Sequence, residues 1–270
     1  MSDLRIFSYL PNPRIWKATI AARLSGVDVE VRGGSPKELQ SWLWDFDAHP
    51  LSSSGLATSA DARTGKVGFT GTLHKTAAFI EAHPFGTVPA AFSPDGKIGI
   101  FESNSIMRAV ARLGEKRFPL YGRDAYEASR IDSFLDASLV FARDSQIYLL
   151  SLISGTVSPE IHSRMRDGFK VYMGGINQAL SPDRDFIVGD SVTLADICFA
   201  AELALFFNEK ARKGELLKKN LETILHDGVE SEYPLAFAHF ARLSKHASFA
   251  PDMEPYLKKI ELSRTTHPGR

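Results

Sequence analysis

The chain has 270 residues, 44% of them hydrophobic, with 32 basic and 32 acidic side chains and a formal net charge of +0. That is enough apolar material for a packed core in one or two domains. The charge balance, with no long run of one sign, excludes an electrostatic nucleic-acid binder. A single cysteine, Cys198, excludes an internal disulfide framework and a cysteine-based zinc cluster, and no metal site is expected. Met1-Ser2-Asp3-Leu4-Arg5 shows no signal-peptide pattern. The longest apolar run, Ile197 to Phe207, is broken by Glu202 and is too short to span a bilayer. A cytoplasmic protein with no membrane partner is expected.

Leu4 to Tyr9 alternates enough for a first strand, and Pro11-Asn12-Pro13 breaks it. Arg14 to Ser25 reads as a helix ended by Gly26, with Pro13 near its start, where a missing N–H costs nothing. Val27 to Val31 alternates with period two, so the unit is strand–helix–strand with a right-handed crossover and a parallel pair. Residues 35–71 are the oddity: Trp42-Leu43-Trp44-Asp45-Phe46, then a Ser/Gly/Ala/Thr-rich run, read as a long structureless connection.

His83 to Phe92 reads as a turn and a short strand, Asp95-Gly96 as a tight hairpin turn, and Ile98 to Phe101 as the returning strand. A helix follows from Ser103 to Leu113. Residues 114–122, rich in Gly and Pro, form an interdomain linker. Ala125 to about Ile153 and Pro159 to Leu180 repeat apolar residues at helical spacing. Thr193-x-x-Asp196 is a capping-box pattern opening an apolar helix in which Cys198 is a small buried hydrophobe. A last helix near Tyr233 to Ser244 and a polar tail over residues 263–270 complete the chain.

Two places carry chemistry. Val88, before Pro89, would offer its N–H and C=O sideways to anything extended lying alongside. Glu102-Ser103 sits where a strand feeds a helix, so backbone N–H groups and the positive helix end point at one spot, which suits a carboxylate. Taken singly, Ser103 is a helix cap and Pro89 a turn proline.

Together, Val88-Pro89, the hairpin and Glu102-Ser103 opening a helix resemble the glutathione-binding half of the glutathione transferase family. Phe101-Glu102-Ser103-Asn104-Ser105-Ile106 is especially similar to the transferase-like domain of the gamma subunit of translation elongation factor one. The run from Phe186 to Ile197 resembles the family's helical-domain folding motif, a structural element with no catalytic role. The resemblance implies an α/β thioredoxin-like domain over residues 1–113, with an insertion at about 35–71, and an all-helical domain over 123–262. It also implies that Thr72 to Ile80 is a short helix leading to the Val-Pro loop.

The same resemblance implies glutathione as co-substrate, held by Thr87, Val88, Pro89, Glu102 and Ser103. His74 or Lys75 would serve its glycyl carboxylate. A thiol-facing donor belongs at the mouth of the first helix, where Ser8, Tyr9 and Asn12 are candidates. Asn12 aligns best, through the similarity of Asn12-Pro13-Arg14-Ile15-Trp16 to the Ser-Pro-x-x-Trp of ring-ether-cleaving relatives, and Arg14 is a plausible partner for the thiolate. A pocket for a small hydrophobic electrophile would be lined by Phe134, Phe141, Arg143 and Tyr148 of the helical domain, with Trp42, Trp44 and Phe46 as a lid. The family implies a homodimer and a detoxifying transferase. The alternatives are a non-catalytic interaction module of the elongation-factor type and a lyase cleaving an ether or halide.

Overall fold

In the computed structural model, which describes residues 2–58, 60–65, 69, 71–115 and 118–265, the chain divides into two units, Met1–Phe118 and Pro119–Arg270. The first unit opens with β1 (Leu4–Phe7), α1 (Pro13–Ser25) and β2 (Val29–Arg32). β1 and β2 are parallel, with Ile6 opposite Val31. Asn12 caps α1, its side chain accepting from the Arg14 amide, and Gly26 ends the helix at φ 67°, a left-handed conformation that glycine adopts without a Cβ clash.

Residues 35–71, expected to be structureless, instead build most of a second sheet. After a 3₁₀ turn at Glu38–Ser41 come β3 (Trp42–Trp44), β4 (His49–Pro50), α2 (Ser53–Thr58), β5 (Ala62–Thr64) and β6 (Thr72–Lys75). The order is β4-β3-β6-β5, with β3 and β6 parallel and the other pairs antiparallel. Thr72–Lys75 is therefore strand rather than the expected helix. The helix starts later, as α3 (Ala77–Ala82), capped by Thr76, whose hydroxyl accepts from the Phe79 amide.

The inserted sheet is held to the first by a shared aromatic core of Phe7, Trp44, Phe79 and Phe92. Trp44 stands edge-on to Phe7 and Phe79 and donates its indole N–H to the Leu39 carbonyl at 2.9 Å. At the rim, Glu30 accepts from both Arg5 and Arg32, and both arginines also reach Asp47 of the inserted segment.

β7 (Ala90–Phe92) and β8 (Gly99–Phe101) form the expected hairpin, and the first sheet runs β2-β1-β7-β8. Gly96 sits in its turn at φ 73°, with Phe46 so close that a Cβ would lie 2.7 Å from the ring. α4 (Ser103–Leu113) follows and packs along α1. The fold class is that of a thioredoxin-like α/β unit followed by an all-helical one.

The second unit is built on α5 (Ala125–Ser154), α6 (Pro159–Ala179) and α7 (Leu194–Phe206). A 3₁₀ segment at Phe207–Arg212, α8 (Lys213–Leu217), α9 (Val229–Glu232), α10 (Pro234–Ser244) and α11 (Ala250–Thr265) complete it. α11 takes in residues 263–265, which the sequence assigned to a tail; residues 266–270 lie outside the described part. The capping box forms as read: Asp196 accepts from the Thr193 amide at 2.8 Å while the Thr193 hydroxyl serves the helix. Asp196 is fully buried and also accepts from the Ile187 amide at 3.0 Å and from His239 at 2.8 Å. Cys198, in the same helix, is buried as well. Among the described residues no helix is long and apolar enough to cross a membrane.

Removing a carboxylate that satisfies this many buried donors strands them away from water. Asp196→Ala is expected to lower stability by about 3–5 kcal/mol, read as a lower midpoint in urea unfolding with an unchanged slope.

Candidate functional site

The first sheet brings the candidate site together by register. Phe7, the last residue of β1, lies opposite Ala90, the first of β7, and Ala90 lies opposite Phe101, the last of β8. Because both pairs are antiparallel, the segments Ser8–Asn12, Val88-Pro89 and Glu102-Ser103 all leave the same end of the sheet. The N-termini of α1 and α4 follow directly from two of them. Each helix start carries a partial positive charge, although α1 opens with Pro13, which has no N–H, and its Arg14 and Ile15 amides already bond to Asn12.

Glu102 makes the corner from β8 into α4. Its φ is 65° with ψ 124°, and its side chain does not cap the helix. A non-glycine residue held there costs on the order of 1–3 kcal/mol, and such strain clusters at ligand clamps. Ser103 and Asn104, the first two residues of α4, are buried. The Val88-Pro89 bond is cis, and Pro89 leads straight into β7.

His83 ties the two corners to each other. Its ring is fully buried and stacks on Phe101 at 5.0 Å and 14°, while Nε2 lies 3.4 Å from the Thr87 hydroxyl. Burial pushes its pKa below the ordinary histidine value; the Thr87 hydrogen bond opposes this in part, and the nearby Lys75 charge adds a smaller push downward. Lys75 donates to the Gly86 carbonyl at 2.6 Å and lies 4.7 Å from the Trp44 ring centre. Its pKa is lowered by desolvation and, secondarily, by Arg63.

The other expected residues are placed as follows. Asn12 is buried; its Oδ1 caps α1 and its Nδ2 donates to Ser8 Oγ at 3.2 Å. Ser8 is buried too, whereas Tyr9 is half-buried and faces Phe69. Arg14 is half-buried at the second position of α1. His74 is 5% exposed in β6, one of the two central strands of the inserted sheet, paired with Leu43 on one side and Ala62 on the other. Trp44, expected in a lid, is core at 1% exposure, while Trp42 is half-buried and stacks on Phe7.

In the helical unit, Phe141 stacks on Tyr172 at 4.4 Å and Tyr148 is fully buried. Tyr148 donates to Glu209 at 2.6 Å, and Glu209 also accepts from the Ile224 and Leu225 amides. Burial raises the pKa of both groups. Phe141 and Tyr148 are thus core residues rather than pocket lining, because packing and the Glu209 hub consume their faces. Arg143 is exposed on α5, and Phe134 borders a groove between α5 and α6. Among the described residues no cluster of His, Cys, Asp and Glu could hold a metal ion.

Two residues at the site escaped the sequence reading. His83 is one. The other is Lys17, a lysine on the buried face of α1 between Trp16 and Ile20, whose signal was a charge at an apolar position of the helix.

No protein-family model matches the chain. It is 33% identical over 135 residues to an elongation factor 1-gamma of Oryza sativa subsp. japonica, covering 49% of this chain and 32% of that protein. It therefore spans about a third of the length of such relatives. It is 25% identical over 211 residues to a glutathione S-transferase-like protein of Gibberella moniliformis, covering 75% of this chain and 76% of that one.

Among solved structures, a glutathione S-transferase of Methylobacterium radiotolerans in complex with glutathione sulfonate superposes with a TM-score of 0.61 at 18% identity, over 93% of this chain and 94% of that one. A glutathione transferase of Phanerochaete chrysosporium with oxidized glutathione gives 0.62 at 15% identity, over 97% and 98%. The chain has the glutathione transferase fold.

Two outcomes follow from the corner geometry. Glu102→Gly removes the Cβ from a positive-φ position and is expected to raise the melting temperature by a few degrees, about 1 kcal/mol, as read by calorimetry. His83 is held neutral in the fold, so the unfolded chain takes up its proton first as pH drops through about 6.5. Stability is therefore expected to fall from that pH downward, and His83→Phe, which keeps the stack on Phe101, is expected to flatten that part of the profile in denaturant titrations.

Proposed function

We propose that this protein binds glutathione at the shared end of the first sheet and uses its thiol as a nucleophile toward a small hydrophobic electrophile. The observation that carries this reading is the Phe7–Ala90–Phe101 row, which sets Val88 beside Glu102-Ser103 and the start of α1. Val88 would pair its backbone with the cysteinyl residue. The Glu102 carboxylate would accept from the γ-glutamyl ammonium, and Ser103 with the first-turn amides of α4 would hold the γ-glutamyl carboxylate. Lys75 serves the glycyl carboxylate better than His74, since it is half-buried beside Gly86 whereas His74 is enclosed within the inserted sheet.

A thiol with a pKa near 8.5 needs about two units of depression to be mostly thiolate at neutral pH, about 2.7 kcal/mol. Asn12 Nδ2 carries two protons, one of which is given to Ser8. The other, with the α1 N-terminus and Arg14, would stabilise the thiolate. Its sulfur then forms a bond to the electrophilic carbon, the leaving group departs with the bonding pair, and the thiol proton passes to water. An ether or halide leaving group gives the lyase version of the same step.

The chain would act in the cytoplasm as a homodimer. The exposed aliphatic stripe of Leu139, Val140, Ile147, Leu150 and Ile153 along α5 supports a self-associating face.

A second reading, a docking module without turnover, is favoured by Asn12, whose side chain already caps α1 and binds Ser8. Calorimetric titration separates the two. Wild type is expected to bind glutathione and Glu102→Ala to lose at least tenfold in affinity, about 1.4 kcal/mol. With 1-chloro-2,4-dinitrobenzene as electrophile, Asn12→Ala is expected to lower kcat while leaving glutathione affinity in place. No binding by the wild type would favour the docking module.

A further inference from the structure

Lys17 projects from the middle of α1 and is 1% exposed. Its ammonium lies 2.8 Å from Asn104 Oδ1 and 3.3 Å from Ser103 Oγ. An ammonium group has three protons and no lone pair, so Lys17 is the donor in both contacts. Ser103 Oγ therefore accepts from behind, and its own proton is left for a different acceptor. Asn104 is oriented in the same way, with its carbonyl oxygen toward Lys17 and its amide protons turned elsewhere.

The charge is on the disfavoured side of the helix. The start of α4 already carries the positive end of the helix dipole, where cations are destabilising and anions are welcome. Burying an ammonium there adds a desolvation cost. An anion docking at Ser103 would offset both terms, because the dipole, the hydroxyl proton and the lysine charge then act on it together.

We propose, on the glutathione reading above, that Lys17 is a positioning residue for the γ-glutamyl carboxylate. It fixes the Ser103 hydroxyl as a donor and supplies the positive charge behind it without touching the ligand. Lys17 would thus set selectivity for peptides that carry a free α-carboxylate at this end.

The test is titration of wild type and Lys17→Met with two peptides: glutathione, and its analogue in which γ-aminobutyrate replaces the γ-glutamyl residue, so that the α-carboxylate is absent while the amine is kept. A third peptide, with the carboxylate converted to the primary amide and the amine kept, isolates the carboxylate. Wild type is expected to prefer glutathione over the amide by about ten- to a hundredfold, the worth of a charge-assisted hydrogen bond. Lys17→Met is expected to erase most of that preference while binding the amide peptide as wild type does. Lys17→Met added to Ser103→Ala should cost less than Lys17→Met alone, because the part of its effect that runs through the hydroxyl is already gone.

A Lys17→Met protein that keeps the full preference overturns the inference. So does one that weakens all three peptides equally, since that marks a structural role. Should Lys17→Met fail to fold, Lys17→Gln carries the same readout with a neutral donor in place. A wild type that binds none of the peptides overturns the glutathione reading itself, and this inference with it, and is distinguishable because no variant is needed to see it.

Discussion

The backbone register of β1, β7 and β8 is the constraint on which the rest of the first unit depends. Phe7, Ala90 and Phe101 stand in one row. A slip of one residue along either pairing would turn every side chain of a strand to the opposite face. It would also move Val88-Pro89 away from Glu102-Ser103. Register is held by burial on both faces: Ile6, Phe7, Ala90, Ala91 and Phe92 are all at most 1% exposed. The inserted sheet contributes to one of those faces through Trp44, and α1 packed along α4 places Lys17 beneath the helix start.

The corner at Glu102 shows where local preference yields to the site. A glycine would relieve the backbone, and a side-chain cap would satisfy the first turn of α4, yet the chain has neither. It sets a carboxylate, a hydroxyl and a buried ammonium around one helix end. On the proposed reading Glu102 would meet a cationic group, while Ser103 and the helix dipole would meet an anionic one, so that a zwitterionic amino-acid head would fit the pair in one orientation. The helical unit has its own polar hubs, Asp196 and Glu209, each a buried carboxylate accepting from several donors. Those hubs bind chain segments to one another.

Much of this was legible in the residues. Asp95-Gly96 between two apolar runs gives a hairpin because its turn needs positive φ, and Thr193-x-x-Asp196 opens a helix because both side chains reach orphan amides. The inserted sheet was not legible. Its strands run two to four residues, too short for a period of two to show, and its pairing joins β3 to β6 across about thirty intervening positions. Trp44, Phe141 and Tyr148 were read as pocket lining because aromatic type alone does not distinguish a core face from a ligand face; burial and the bonds to Leu39 and Glu209 do. Asn12 could serve as cap or as thiol donor from sequence, and the structure shows the cap together with a bond to Ser8. Lys17 carries little signal in the sequence because a lysine in an amphipathic helix is usually solvated, whereas here α1 packs on α4 and the side chain is buried.

The most direct test of the account is amide-resolved NMR of the full chain titrated with glutathione. The account predicts that the Val88, Ser103 and Asn104 amides shift together along one saturable curve, while those of the hairpin turn at 93–98 and of the α7 capping box stay in place. Shifts confined to the helical unit, or none at millimolar glutathione, would contradict it.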